Sequence, residues 1–278
     1  MLYKPKVANI FFPSTNRFLD VQRALEVVGI EGVLVPWNTK DYQRLRECDG
    51  YIIAGGFAYE DIVRAGVIAA GSPILYVVKE ETERTRKPWI GICNGFQIQV
   101  ESGVLPGIEG YRLEMGLAPN AGERDGEIVR TGFDSDWYFL MASAPSGRNC
   151  MTYLFKEGDV IGCPIAHGEG RVAMSREVAN TMGENKQIAF RFCSREGQVS
   201  YDVSVNPNGS PYNITGVSNP KGNVAGMMPH AESSSFVMQL PESMFPEKLA
   251  AWGDSVKMEG PGQGRKVFES LYAYLRDI

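Results

Sequence analysis

The chain has 278 residues, 44% of them hydrophobic, enough to bury a substantial core and unlike the composition of a disordered chain. Its formal net charge is −5, with acidic and basic residues interspersed, so neither nucleic acid nor an anionic membrane is expected as its main partner. The five cysteines are widely spaced, no C-x-x-C pair occurs and only two histidines are present, which argues against a structural zinc site.

The opening Met1-Leu2-Tyr3-Lys4-Pro5 leads straight into a strand-like run without the pattern of a signal peptide. No apolar run approaches the roughly 18 residues that cross a bilayer. The expected setting is a reducing cytoplasm with at least one thiol free for chemistry.

Residues 6–12 form a buried apolar run, followed by a helical pattern over 16–28. Two further apolar runs, 32–37 and 49–54, read as strands, the second ending at Gly55-Gly56. Residues 60–85 read as one long helical stretch, 88–93 as a strand, and 94–101 as a helix stopped near Gly103 and Pro106. This alternation predicts a mostly parallel sheet flanked by helices, an α/β class of flavodoxin-like type. The second half differs. Short β-rich runs at 138–141, 151–155, 160–165, 187–193 and 198–205 predict antiparallel strands added to that sheet, and 265–275 reads as a closing amphipathic helix. Residues 111–136 read as a polar, glycine-containing inserted loop. No repeat or linker divides the chain, so a single domain over 1–278 is expected.

The most informative segment is Gly91-Ile92-Cys93-Asn94-Gly95, where a strand gives way at once to a helix. This is the nucleophile-elbow pattern with sulfur in place of oxygen. A thiol there sits at the positive end of the helix dipole, which favours its thiolate. The backbone N–H of Asn94 faces the same space and can receive a developing oxyanion. Gln97, one helical turn on, is expected over the same pocket. Gly55-Gly56-Phe57, at the end of another core strand, offers a second oxyanion N–H from Gly56 or Phe57, or only a β-to-α turn.

A cysteine nucleophile acting on an amide needs a base that later protonates the leaving amine. His230 is followed by Glu232, two positions on, which shares its face if the backbone is extended and can orient the imidazole. His167 has the same H-x-E spacing with Glu169, so spacing leaves both histidines open. Cys48, Cys150, Cys163 and Cys193 lack such settings and read as small hydrophobes.

Gly91-Ile92-Cys93-Asn94-Gly95-Phe96-Gln97, with Gly103-Val104-Leu105-Pro106-Gly107, resembles the nucleophile segment of class I (triad-type) glutamine amidotransferases. Within them it is most similar to the glutaminase subunits of phosphoribosylformylglycinamidine synthase, of purine biosynthesis. Segments 55–61, 164–170, 206–210 and 226–230 carry the same resemblance, which covers most of the chain. It implies Cys93 as nucleophile, His230 as base, Glu232 as orienter, Gly56 and Asn94 at the oxyanion site and Gln97 beside bound L-glutamine. It also implies a synthetase subunit as partner, allows for a small third subunit, and leaves ATP and Mg to the synthetase, with no cofactor in this chain. No Walker-type or Rossmann glycine motif occurs here, in keeping with that division. The chain departs from the pattern at Ala231, where Pro is usual, and at Ala58 and Glu60, where Ser and Gly are usual. Two other readings fit the elbow itself: a different elbow-cysteine hydrolase, such as a deglycase or peptidase-like enzyme, or a non-catalytic regulatory subunit on the same scaffold.

Overall fold

The computed structural model describes residues 3–278. The first half runs β1 (Lys6–Phe11), α1 (Phe18–Val27), β2 (Glu31–Pro36), α2 (Tyr42–Arg46), β3 (Gly50–Ile53), α3 (Val67–Ala70), α4 (Pro73–Thr85), β4 (Trp89–Ile92) and α5 (Asn94–Glu101). All four residues of both β3 and β4 are buried, as expected of strands covered by helices on both faces. β2 alternates between buried and accessible positions because it forms an edge of the sheet.

The second half adds β5 (Met115–Ala118), β6 (Ala121–Arg124), β7 (Glu127–Thr131), β8 (Asp134–Ala142), β9 (Val160–His167), β10 (Arg171–Met174), α6 (Arg176–Glu184), β11 (Ile188–Cys193), β12 (Ile214–Ser218) and β13 (Val224–Met227). Two short helices, α7 (Pro246–Ala250) and α8 (Ser255–Met258), precede the terminal α9 (Arg265–Asp277). α9 buries Val267, Phe268, Leu271 and Leu275, the three-and-four spacing that puts apolar side chains on one helix face.

Nine strands join one sheet in the order β2-β1-β3-β4-β13-β12-β11-β8-β9. The pairs from β2 through β13 are parallel, and those from β13 through β9 are antiparallel. This is the expected class: a parallel α/β sheet extended by antiparallel strands. The chain steps from β1 outward to β2 and then across β1 to β3. The carboxyl ends of the strands at such a reversal form a crevice where α/β proteins bind ligands.

Four expected elements differ. The stretch at 60–85 is not one helix: Tyr59, Glu60, Asp61, Val63 and Gly66 all take positive φ, and α4 starts afresh at Pro73, whose missing N–H suits a helix start. Residues 151–155 form bends and turns, with Met151, Thr152 and Phe155 buried and Leu154 exposed, because the Asn149 side chain accepts from the Met151 and Thr152 amides at 3.0 Å each and curls the backbone. Residues 198–205 make only an isolated bridge between Asp202 and Glu123, and the Asp202 side chain caps the turn at Ser204. The stretch at 111–136 is more ordered than an open loop. β5 pairs with β10, and β6 and β7 form a hairpin turning at Asp125-Gly126, both of positive φ, as such turns demand.

Candidate active site

β4 delivers Cys93 to the carboxyl edge of the sheet, and α5 begins at the next residue. Cys93 has φ 51° and ψ −109°, a backbone state that costs a non-glycine residue on the order of 1–3 kcal/mol. Its environment enforces that state. The Cys93 N–H donates to the Met227 carbonyl of β13 at 2.8 Å, and the Cys93 carbonyl accepts from Phe96 and Gln97. The glycines on either side permit the close approach: a Cβ on Gly95 would lie 2.1 Å from the Ile53 carbonyl oxygen, and one on Gly91 2.6 Å from that of Gly95. Among the described residues the Asn94 and Gly95 amides donate to no backbone carbonyl, so they are the free donors of a helix N-terminus beside the sulfur.

His230 follows β13 and Pro229, and its N–H donates to the Pro164 carbonyl at 2.8 Å. Its Nδ1 lies 2.6 Å from Glu232 Oε1, and both residues are buried. The backbone here is not extended. Ala231–Ser234 forms a 3₁₀ turn, and the carboxylate reaches the imidazole across that turn. Burial works to lower the pKa of His230, but the charges of Glu232 and Cys93 outweigh it and push the pKa up to about 10. Nε2 has no hydrogen-bond partner among the described residues. The ring stands beside the thiol: a Cβ on Gly55 would fall 2.5 Å from His230 Cε1 and 3.2 Å from Cys93 Cβ.

His167 reaches the same cavity but in a different state. It is buried, neither ring nitrogen has a partner among the described residues, and burial followed by the neighbouring His230 pushes its pKa down to about 3. Glu169 does not hold it. That carboxylate accepts from the Ala65 amide at 3.3 Å instead. The two H-x-E segments therefore separate physically, and only His230 carries a carboxylate on its ring.

Cys93 opens onto a cavity of about 200 Å³ lined by Gly56, Phe57, Asp61, Gln97, His167 and Glu169, among others. The Phe57 amide is engaged with the Ser14 carbonyl at 3.1 Å, whereas the Gly56 amide has no backbone partner among the described residues. Gln97 lines the cavity, but its amide is tied at both ends. Nε2 donates to the Glu169 carbonyl at 2.7 Å, and Oε1 accepts from Asn94 Nδ2 at 2.9 Å. Glu60 is exposed and is not among the lining residues, and its left-handed φ of 59° falls where glycine is usual in the resemblance. Ala231 is buried and accepts from Ser235 Oγ at 2.8 Å, so the missing proline leaves the turn hydrogen-bonded. Asp61 also lines the cavity, and nothing in the local sequence marks it, since it is the hydrogen bond from Asn94 that holds it there.

The other four cysteines are free thiols buried elsewhere, and burial raises the pKa of each. A larger cleft, of about 450 Å³, lies beside Asp41 and Cys48 and brings no nucleophile together with a base.

The sequence model of the CobB/CobQ-like glutamine amidotransferase domain matches residues 4–275. The chain belongs to this family of glutamine amidotransferases. It is 44% identical over 273 residues to the phosphoribosylformylglycinamidine synthase subunit PurQ of Methanothrix thermoacetophila, covering 98% of each chain. It is 38% identical over 232 residues to the PurQ subunit of Pyrococcus furiosus, covering 83% of this chain and 89% of that one. Among solved structures it resembles a chain of PurLQS from Thermotoga maritima, with a TM-score of 0.70 and 30% identity over 98% of this chain and 100% of that one. The glutaminase domain of Trypanosoma brucei CTPS, solved with bound acivicin, shares the fold at a TM-score of 0.53 and 13% identity, covering 98% of this chain and 94% of that one.

For this glutamine amidotransferase, Gly55→Ala is expected to lower the rate of ammonia release from glutamine by roughly 10²-fold, because the new methyl group displaces the His230 ring by about an ångström. A steady-state assay of the folded variant checks this. A rate near that of wild type would mean that the ring does not depend on the space Gly55 leaves.

Proposed function

We propose that the chain is the glutaminase subunit of a phosphoribosylformylglycinamidine synthase and acts through Cys93, His230 and Glu232. The observation that carries the assignment is the buried imidazole beside the elbow thiol, with Nδ1 on a carboxylate 2.6 Å away and Nε2 free. L-Glutamine enters the cavity, and the Cys93 thiolate attacks the side-chain amide carbon, forming a C–S bond. The carbonyl oxygen becomes an oxyanion, which the Asn94 and Gly56 amides receive. Because His230 holds its proton across the neutral range, it serves first as the acid. It protonates the departing nitrogen, the C–N bond breaks, and a γ-glutamyl thioester and ammonia result. His230, now neutral, takes a proton from water, whose oxygen attacks the thioester to release glutamate and restore the thiolate. Gln97 and the Asn94 side chain shape the wall through their mutual hydrogen bond instead of reading the substrate amide directly.

The ammonia passes to a synthetase subunit that activates formylglycinamide ribonucleotide with ATP and Mg, accompanied by a small third subunit. The steps above use only groups that this chain carries. The setting is the cytoplasm, and the chain acts as one amidotransferase domain over 1–278. In support of that unity, one sheet gathers strands from Lys6 to Met227. No helix among the described residues is long and apolar enough to cross a membrane.

The test is covalent. A glutamine-like diazoketone should label Cys93 alone, identified by peptide mass, and L-glutamine should slow the labelling. Labelling of another cysteine, or labelling indifferent to glutamine, would contradict the assignment.

A further inference from the structure

The segment from Phe57 to Gly66 walls one side of the Cys93 cavity on a strained backbone. Tyr59, Glu60, Asp61 and Val63 have φ of 55°, 59°, 52° and 75°, a region unusual for non-glycine residues and an outlier for a β-branched one. Such a run persists only where its surroundings over-determine it. Here the Asn94 side chain does so from the start of α5. Its Oδ1 accepts from the Ala58 amide at 2.9 Å, and its Nδ2 donates to Asp61 Oδ1 at 3.1 Å. The strain places the Asp61 carboxylate on the cavity wall.

Glu169 faces the same cavity, no lysine or arginine lines it, and among the described residues neither carboxylate makes an ion pair. Arg64, the cation on this segment, pairs with Glu101 and senses Glu169 only as a weaker, more distant charge. Burial, then the charge of Glu169, push the Asp61 pKa up to about 6, against the Asn94 hydrogen bond. Two carboxylates therefore share a partly dry wall on which no lysine or arginine stands to balance them. No three His, Cys, Asp or Glu side chains among the described residues are grouped to hold a metal ion. A second observation points to a polar ligand. His167, 3% exposed, lines the cavity with both ring nitrogens unbonded, a rare state that a bound polar molecule completes. Kept neutral by burial, it does not repel a cation.

We infer that Asp61, backed by Glu169, binds the α-ammonium group of the substrate and makes the pocket selective for free L-glutamine over amides that lack that charge. This rests on the glutaminase reading. Asp61 is a substrate-binding residue and takes no part in bond making at sulfur. Asp61→Asn keeps the shape and can still accept from Asn94, so it removes the charge alone.

The experiment compares L-glutamine with glutaramate, which has the same side-chain amide and carboxylate but no amino group, using the complex with its synthetase. Asp61→Asn should lower kcat/KM for L-glutamine about 10- to 100-fold, mainly through KM, as expected for losing a hydrogen bond to a charged group. Glutaramate should lose much less, so the preference between the two collapses. Glu169→Gln should shift the preference in the same direction by a smaller factor, and it serves as the second variant if the first does not fold. An equal loss for both substrates, or an unchanged preference, overturns the inference. If the wild-type complex uses ammonia but not glutamine, the glutaminase reading itself fails, and that outcome is visible before any variant is made.

Discussion

Replacing Cys93 by Ala in the complex with the synthetase is expected to abolish glutamine-dependent synthesis while leaving ammonia-dependent synthesis intact. The loss should be on the order of 10⁴-fold or more in kcat, since removing a nucleophile removes the covalent pathway and leaves only binding and oxyanion stabilisation. No substitute thiol is available. Cys48, Cys150, Cys163 and Cys193 are buried, and burial raises the pKa of each thiol. The fold should tolerate the change, because the hydrogen bond from the Cys93 sulfur to the Ala166 carbonyl is long, at 3.8 Å, and the strained φ of 51° is imposed by backbone bonds that Ala retains. Parallel assays with glutamine and with ammonium salts separate the two activities. Glutamine-supported synthesis persisting in the variant would remove Cys93 from the mechanism.

The second large effect is expected from Glu232→Gln, roughly 10³- to 10⁴-fold in kcat/KM, by analogy with loss of the charged third member of a triad. Two opposing forces act on His230. Burial favours the neutral ring, and the Glu232 carboxylate at 2.6 Å favours the imidazolium and prevails, with help from Cys93. Without the carboxylate charge, burial decides, and the imidazole is neutral at pH 7. The sign follows from the direction of the shift. A raised pKa means that wild type keeps a charged imidazolium at His230, beside the sulfur, at every pH from neutrality up to about 10. Diazoketone labelling of wild type should therefore be nearly flat between pH 6.5 and pH 9. In Glu232→Gln the labelling should be slow at neutral pH and climb as pH rises, as expected of a thiol with no imidazolium beside it. A flat profile in the variant would show that Glu232 does not set the charge on the pair.

Much of this was legible in the sequence because it is local. Alternating apolar and helical segments announce the parallel sheet, since a strand covered on both faces must be apolar throughout, as all four residues of β4 are. The elbow is equally local: Gly91 and Gly95 bracket Cys93 because any Cβ there meets backbone within 3 Å. Even the departures at 151–155 and at the β6–β7 hairpin turn on nearby side chains, Asn149 and Asp125-Gly126, whose turn-forming chemistry competes with the apolar pattern.

What the tertiary structure decided is which distant groups face the sulfur. His167 and His230 have the same spacing to a glutamate, and only the turn at Ala231–Ser234 puts a carboxylate on one ring, while Glu169 turns away to Ala65. Phe57 and Gly56 are adjacent in sequence, yet only the Phe57 amide is engaged, by Ser14 more than forty residues away. Asp61 reads as an ordinary polar residue within a predicted helix until Asn94 pins it in a left-handed backbone against the cavity. Periodicity and turn chemistry act over a few residues, so they mark the strands and the elbow. Burial, charge coupling and the identity of a buried proton carrier depend on the whole packing, and they arise only when β3, β4 and β13 bring their ends together.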